Sequence, residues 1–151
     1  MSIAIAKKLQ QTIDEFLNNS PKPHHWTYRP APGKWSAKEI IGHLTDSAHV
    51  NLQRFVRCTY EEQFKLIYAQ NEWVAAQHYQ DADLTEMLEL WRLVNMQIAR
   101  VLDSYPADRW QATCDTGHGE ISYRTVEFLA KDYIVHMQHH LNQIIALSHG
   151  H

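Results

Sequence analysis

Apolar residues return along this chain at intervals of three and four, the spacing that places them on one face of an α-helix. Ile5, Leu9, Ile13, Phe16 and Leu17 predict a first helix from Ser2 to Leu17. Asn18 to Lys34 holds four of the five prolines. Proline removes a backbone donor and biases its predecessor toward extended structure, so this segment reads as a loop, pinned to the core by Trp26, Tyr28 and Trp35. Ser36 followed three residues later by Glu39 has the pattern of a capping box and starts a second helix, with Ile40, Ile41, Leu44, Ala48, Leu52, Phe55 and Val56 as its apolar stripe, ending near Arg57 or Cys58. Tyr60 to Asp83 shows mixed periodicity and reads as a loop with one short helix around Asn71 to His78. Met87, Leu88, Trp91, Val94, Ile98, Val101 and Leu102 define a third long helix over Leu84 to Leu102, with Asp83 or Thr85 as its cap and Pro106 beyond its end. After a turn at Asp115-Thr116-Gly117-His118-Gly119, a fourth runs from Ser122 or Tyr123 to about Ser148, carrying Val126, Leu129, Tyr133, Met137, His140, Ile144 and Leu147.

Four long amphipathic helices, without an alternating β-branched run or an internal repeat, predict an all-α protein, an antiparallel four-helix bundle. At 151 residues, 44% of them hydrophobic, the chain suits one domain over 1–151 with a single core. The terminal Ser148-His149-Gly150-His151 adds little to this picture.

A net charge of −3, with Lys and Arg dispersed, offers no basic face to a phosphate backbone, so no nucleic-acid partner is expected. No apolar run approaches the ~20 residues of a membrane span, and none resembles a leader, so a soluble protein is expected. Cys58 and Cys114 are far apart in sequence and suggest neither a pairing nor a metal-ligand spacing; buried thiols in a reducing, cytoplasmic setting are the default.

Eleven histidines are the compositional oddity. His136 and His140, four apart, face the same way on the fourth helix, so their imidazoles can aim at one point. Such a pair also occurs as hydrogen-bonded core histidines. His43, beside the inward stripe of the second helix, strengthens the metal reading, because facing helices of a bundle commonly supply ligands jointly. Three neutral imidazoles suit zinc, nickel, copper or iron and leave a position open for chemistry on water or on a small thiol. His139 can replace His140 in an i, i+3 pair, or it can face sideways as a pocket residue. Asp132, one turn before His136, and Asp46, three residues after His43, are candidates to receive a ligand histidine's second ring proton; each is equally an ordinary helix acid. His118, between glycines, either reaches the pocket mouth or is only a turn residue. Arg54 and Arg57 either meet an anionic substrate or lie at a solvated helix end, the latter being the simpler reading.

Three segments together resemble the DinB-like superfamily, and more closely its YfiT-type branch of metal-dependent hydrolases. They are Tyr28-Arg29-Pro30 through Gly33-Lys34-Trp35-Ser36 to His43-Leu44-Thr45-Asp46-Ser47, then Gly119-Glu120-Ile121-Ser122, and His136-Met137-Gln138-His139-His140. The resemblance spans Trp26 to Ile144 and is weakest between Thr59 and Asp83. It implies a four-helix bundle, a metal held by His43, His136 and His140, and a homodimer. Relatives include transferases that use bacillithiol, mycothiol or glutathione, so a low-molecular-weight thiol joins a divalent ion, zinc or nickel, among the expected cofactors. The function expected is a divalent-metal enzyme, hydrolase or thiol-dependent S-transferase, acting on a small molecule. A stress-associated protein that binds a metal or small molecule without turnover is the alternative.

Overall fold

The computed structural model describes residues 2–148; His149, Gly150 and His151 of the terminal segment lie outside the described residues. Four long helices, α1 (Ser2–Asn19), α2 (Ala37–Arg57), α4 (Leu84–Asp103) and α5 (Val126–Ala146), build the four-helix bundle, and a short α3 (Gln70–Gln77) lies between α2 and α4. The apolar stripes meet inside: Leu9 and Ile13 of α1, Ile41 and Leu44 of α2, Trp91 and Ile98 of α4, and Met137 and Ile144 of α5 are all buried. Each such side chain, removed from water, contributes about 1.5–3 kcal/mol.

The principal helix contacts join α1 to α4 and α5, and α2 to the same pair. Helices consecutive along the bundle, α1 with α2 and α4 with α5, therefore sit on its diagonals, and long connections have to cross the bundle ends. The directions follow from side-chain contacts. Gln80, just before α4, bonds Ser36 at the start of α2, while the Tyr105 hydroxyl, just past the end of α4, donates to the Phe55 carbonyl near the end of α2. These two helices run the same way. His43 meets His136 and Phe55 meets Tyr133, so α2 and α5 run in opposite directions.

Three very short strands, β1 (Phe64–Lys65), β2 (Thr113–Asp115) and β3 (Tyr123–Thr125), form a sheet in that order, with β1 parallel and β3 antiparallel to the central β2. The sequence predicts no strand, because segments of two or three residues carry no alternation to detect. One consequence is that Tyr123 lies in a strand rather than in the last helix. Thr125 is the N-cap, its hydroxyl accepting from the Phe128 amide, and α5 starts at Val126. The Asp115 carboxylate accepts from the Gly117 and Ser122 amides and closes the β2–β3 turn. A side chain at Gly117 would collide with the Glu120 carbonyl. Cys114 of β2 and Cys58, just past the end of α2, are distant in sequence but buried together in hydrogen-bond contact, which holds the Cys58 thiol protonated.

Candidate metal centre

The N-terminal half of α2 carries the site and is secured first. Ser36 and Glu39 form the expected capping box, and Arg29 from the proline-rich loop grips the Glu39 carboxylate through two bonds of 2.8 and 2.9 Å. The loop is thereby tied to the helix start and Trp35 is brought over the bundle. Four and seven residues on from Glu39, His43 and Asp46 are buried from solvent.

His43, His136 and His140 converge, each offering a ring nitrogen within 4.8 Å of the others. Nε2 of His43 lies 3.4 Å from Nε2 of His136. Metal–nitrogen bonds of about 2.0–2.1 Å at a tetrahedral angle separate donors by about 3.3–3.4 Å, so this spacing fits one ion bound by both rings. The second ring nitrogens are occupied in a way that orients the first. The Tyr68 hydroxyl donates to the His43 carbonyl at 3.3 Å, so its oxygen accepts from Nδ1–H of His43 at 3.0 Å. His140 Nδ1 donates to Gln143 Oε1 at 2.8 Å. In both rings the proton sits on Nδ1 and the Nε2 lone pair is free, the tautomer that a metal requires.

Electrostatics favour the same state. Burial, with the neighbouring imidazoles, lowers the pKa of His43 to about 3 and that of His136 to about 4, and burial also lowers that of His140. At neutral pH all three rings are uncharged and able to donate a lone pair. The Trp35 ring lies 4.8 Å from that of His43 and 6.5 Å from that of His140, covering the cluster on one side.

His139 is exposed, is absent from the cluster, and receives a bond from Gln143. Asp46 turns from His43: Oδ1 accepts from the Tyr79 hydroxyl and the Gln77 amide, and Oδ2 is buried without a partner. Asp132 lines a cavity of about 150 Å³ beside His136, its charge opposing the fall in that histidine's pKa. His118 lines a wider cavity of about 600 Å³ with Arg54 and Tyr68. Tyr68, Gln143 and Trp35 are the site residues that sequence reasoning missed. Gln143 stands three residues after His140, a spacing that could have revealed it, whereas Tyr68 sits in a segment without periodicity.

Three openings meet near the cluster. The cavity beside His136 and the wider one share Arg54, Tyr68 and Gln70, and a third of about 620 Å³ reaches His140 past Trp35.

Comparison with known proteins gives the fold and the family. The chain superposes on YfiT from Bacillus subtilis with a TM-score of 0.80, covering 97% of this chain and 83% of that one at 18% identity. YfiT is described as a probable metal-dependent hydrolase with an unusual four-helix bundle topology. No curated protein matches the chain. The DinB superfamily model matches residues 6–144, nearly the whole sequence, and the protein belongs to that superfamily.

Proposed function

We propose that this protein is a divalent-metal-dependent hydrolase of a small molecule, with the ion held by His43, His136 and His140. The observation that carries the reading is the convergence of three uncharged imidazoles, two of them fixed by Tyr68 and Gln143 in the tautomer that leaves Nε2 free. Imidazole donors suit zinc or nickel, and the description of YfiT as a probable metal-dependent hydrolase is consistent with this chemistry. A divalent ion bound there supplies Lewis acidity at a position left open by three protein ligands.

The chain's own residues supply the rest. Trp35 packs against the His43 ring and leaves His140 open to the cavity beside it. Asp132, on the cavity wall one turn before His136, offers a carboxylate that can take up or return a proton during hydrolysis. The cavities are sized for small molecules rather than for a polymer.

Metal analysis of protein purified without a histidine tag, followed by turnover assays on esters, amides and thiol acceptors, tests the proposal. Ester or amide hydrolysis that depends on the bound ion and is lost in His136→Ala supports it. Turnover only with an added thiol would assign an S-transferase instead, and a loaded protein that turns over nothing would be a binding protein.

A further inference from the structure

Beyond the histidines, α2 continues a buried polar line. Ser47, Asn51 and Arg54 follow His43 at intervals of four, four and three residues, one face of the helix, and all three are more than nine-tenths buried. Bundle interiors are ordinarily apolar, so a polar stripe of this length has to be accounted for. It forms one wall of the cavity of about 150 Å³ whose opposite wall, on α5, includes Asp132 and His136. That volume is room for about five waters at ~30 Å³ each.

Arg54 closes the far end and is the anomaly of the stripe. One of its terminal nitrogens donates to the Leu66 carbonyl at 2.5 Å, while Nε is enclosed with no partner. Among the described residues no carboxylate lies within ion-pair reach of it. The thiols of Cys114 and Cys58, which bond to each other, act on its charge, and Asp132 stands across the same cavity without pairing to it. Arg57, one turn on, is satisfied in the ordinary way by Glu61 at 2.7 Å. A buried guanidinium without a counter-charge is costly to fold and is expected where a ligand supplies the anion.

We propose that Arg54 anchors the carboxylate end of a small substrate whose other end reaches the three-histidine cluster along the cavity between α2 and α5. Arginine's planar fork matches a carboxylate with two parallel bonds. The 11 residues from His43 to Arg54 rise about 16 Å along the helix, and side chains lean toward the helix N-terminus, so the Arg54 head group is carried back toward the histidines. A compact acid of a few carbons can span what remains. Ser47 and Asn51 lie along the way, the Asn51 amide already donating to the Ser47 carbonyl, so that its own oxygen is left to accept from a ligand. The substrate class rests on the metal-hydrolase reading; the anion subsite does not.

The test is a titration of the ¹⁵N-labelled full chain, zinc-loaded and metal-free, with acetate, with phosphate, and with chloride at equal ionic strength. In wild type the Arg54 Nε–H resonance is expected to move saturably with acetate in both forms and not with chloride. Arg54→Gln should weaken acetate binding about tenfold or more, as loss of a charged hydrogen-bond partner does, with zinc content unchanged. Arg57→Gln should leave binding as in wild type. If Arg54→Gln does not fold, the wild-type resonance decides alone. An equal response to chloride, or tighter binding of phosphate than of acetate, overturns the carboxylate assignment. Acetate binding that is indifferent to Arg54 and vanishes with the metal places the anion on the ion; it overturns this proposal and leaves the metal reading standing. A chain that binds no zinc but still shows the Arg54 response would do the reverse.

Discussion

Tyr68 and His43 are joined twice: the tyrosine oxygen accepts from Nδ1 of the imidazole at 3.0 Å, and its hydroxyl proton goes to the carbonyl of the same histidine at 3.3 Å. The two rings are also nearly parallel, at 6°, with centroids 5.8 Å apart. A single side chain thus sets both the tautomer and the plane of His43. Because the hydroxyl has a backbone acceptor of its own, it is committed as an acceptor toward the ring.

Replacing Tyr68 by Phe keeps the stacking and removes both bonds. Nothing then holds the proton on Nδ1, and Nε2 loses its fixed aim. Loss of such an outer partner costs about 10–100-fold in metal affinity, and competition against a chromophoric chelator should show a loss in that range for zinc with the fold intact by circular dichroism. An unchanged affinity would mean that the tyrosine is only packing.

Much of this arrangement was legible in the sequence, and the exceptions have physical causes. The four long helices follow from their apolar stripes, and the start of α2 follows from Ser36 and Glu39, because capping chemistry is local. His136 and His140 face one point because i, i+4 spacing on a helix requires it. The start of α5 was misplaced because Tyr123 to Thr125, polar and aromatic, pair with β2, and only the distant partner strand decides between helix and strand there. Tyr68 could not be found because a side chain reaching in from an aperiodic segment leaves no spacing to detect. Arg54 departs from its simpler reading as a solvated helix end: it is buried, because Leu66 of the same aperiodic segment lies over it and takes its hydrogen bond, and that covering leaves no spacing in α2 to detect.

Metal should also stabilise the fold. An ion that binds only the folded chain adds about 2.7 kcal/mol at a hundredfold excess over its dissociation constant. For a chain of this length that corresponds to roughly 5–10 °C in melting temperature. Zinc is expected to raise the wild-type Tm by about that amount, and His136→Ala should melt at the same temperature with and without the metal. A zinc-dependent rise surviving in His136→Ala would move the ion elsewhere.

Acid should weaken the metal-free protein through the same three residues. The folded pKa values of His43 and His136, about 3 and about 4, lie below the ordinary histidine value of 6.5. Between those limits the unfolded chain binds protons that the folded chain refuses, so stability rises with pH across the window. It is fully present above about pH 6.5 and is lost as the pH falls toward 4. Thermal melts of metal-free protein from pH 4 to 8 should therefore fall more steeply on the acid side in wild type than in His43→Gln, which removes one of the titrating rings. Equal slopes would mean that His43 does not resist protonation in the fold.

Gly42 precedes His43 inside α2, where alanine would ordinarily be the better residue by up to about 1 kcal/mol. Here the Tyr79 ring lies against the bare Cα, and a Cβ would fall inside it. That ring cannot withdraw freely, because its hydroxyl holds the Asp46 carboxylate, whose other oxygen is buried without a partner. Overpacking of this kind costs about 1–3 kcal/mol, so Gly42→Ala should lower stability by that amount in denaturant unfolding, against its helix propensity. The cause can be isolated by a double-mutant cycle. In a Tyr79→Ala background the obstacle is gone, and Gly42→Ala should become neutral or stabilising as propensity alone dictates. If the substitution remains equally damaging without the Tyr79 ring, the glycine is required for some reason other than this contact.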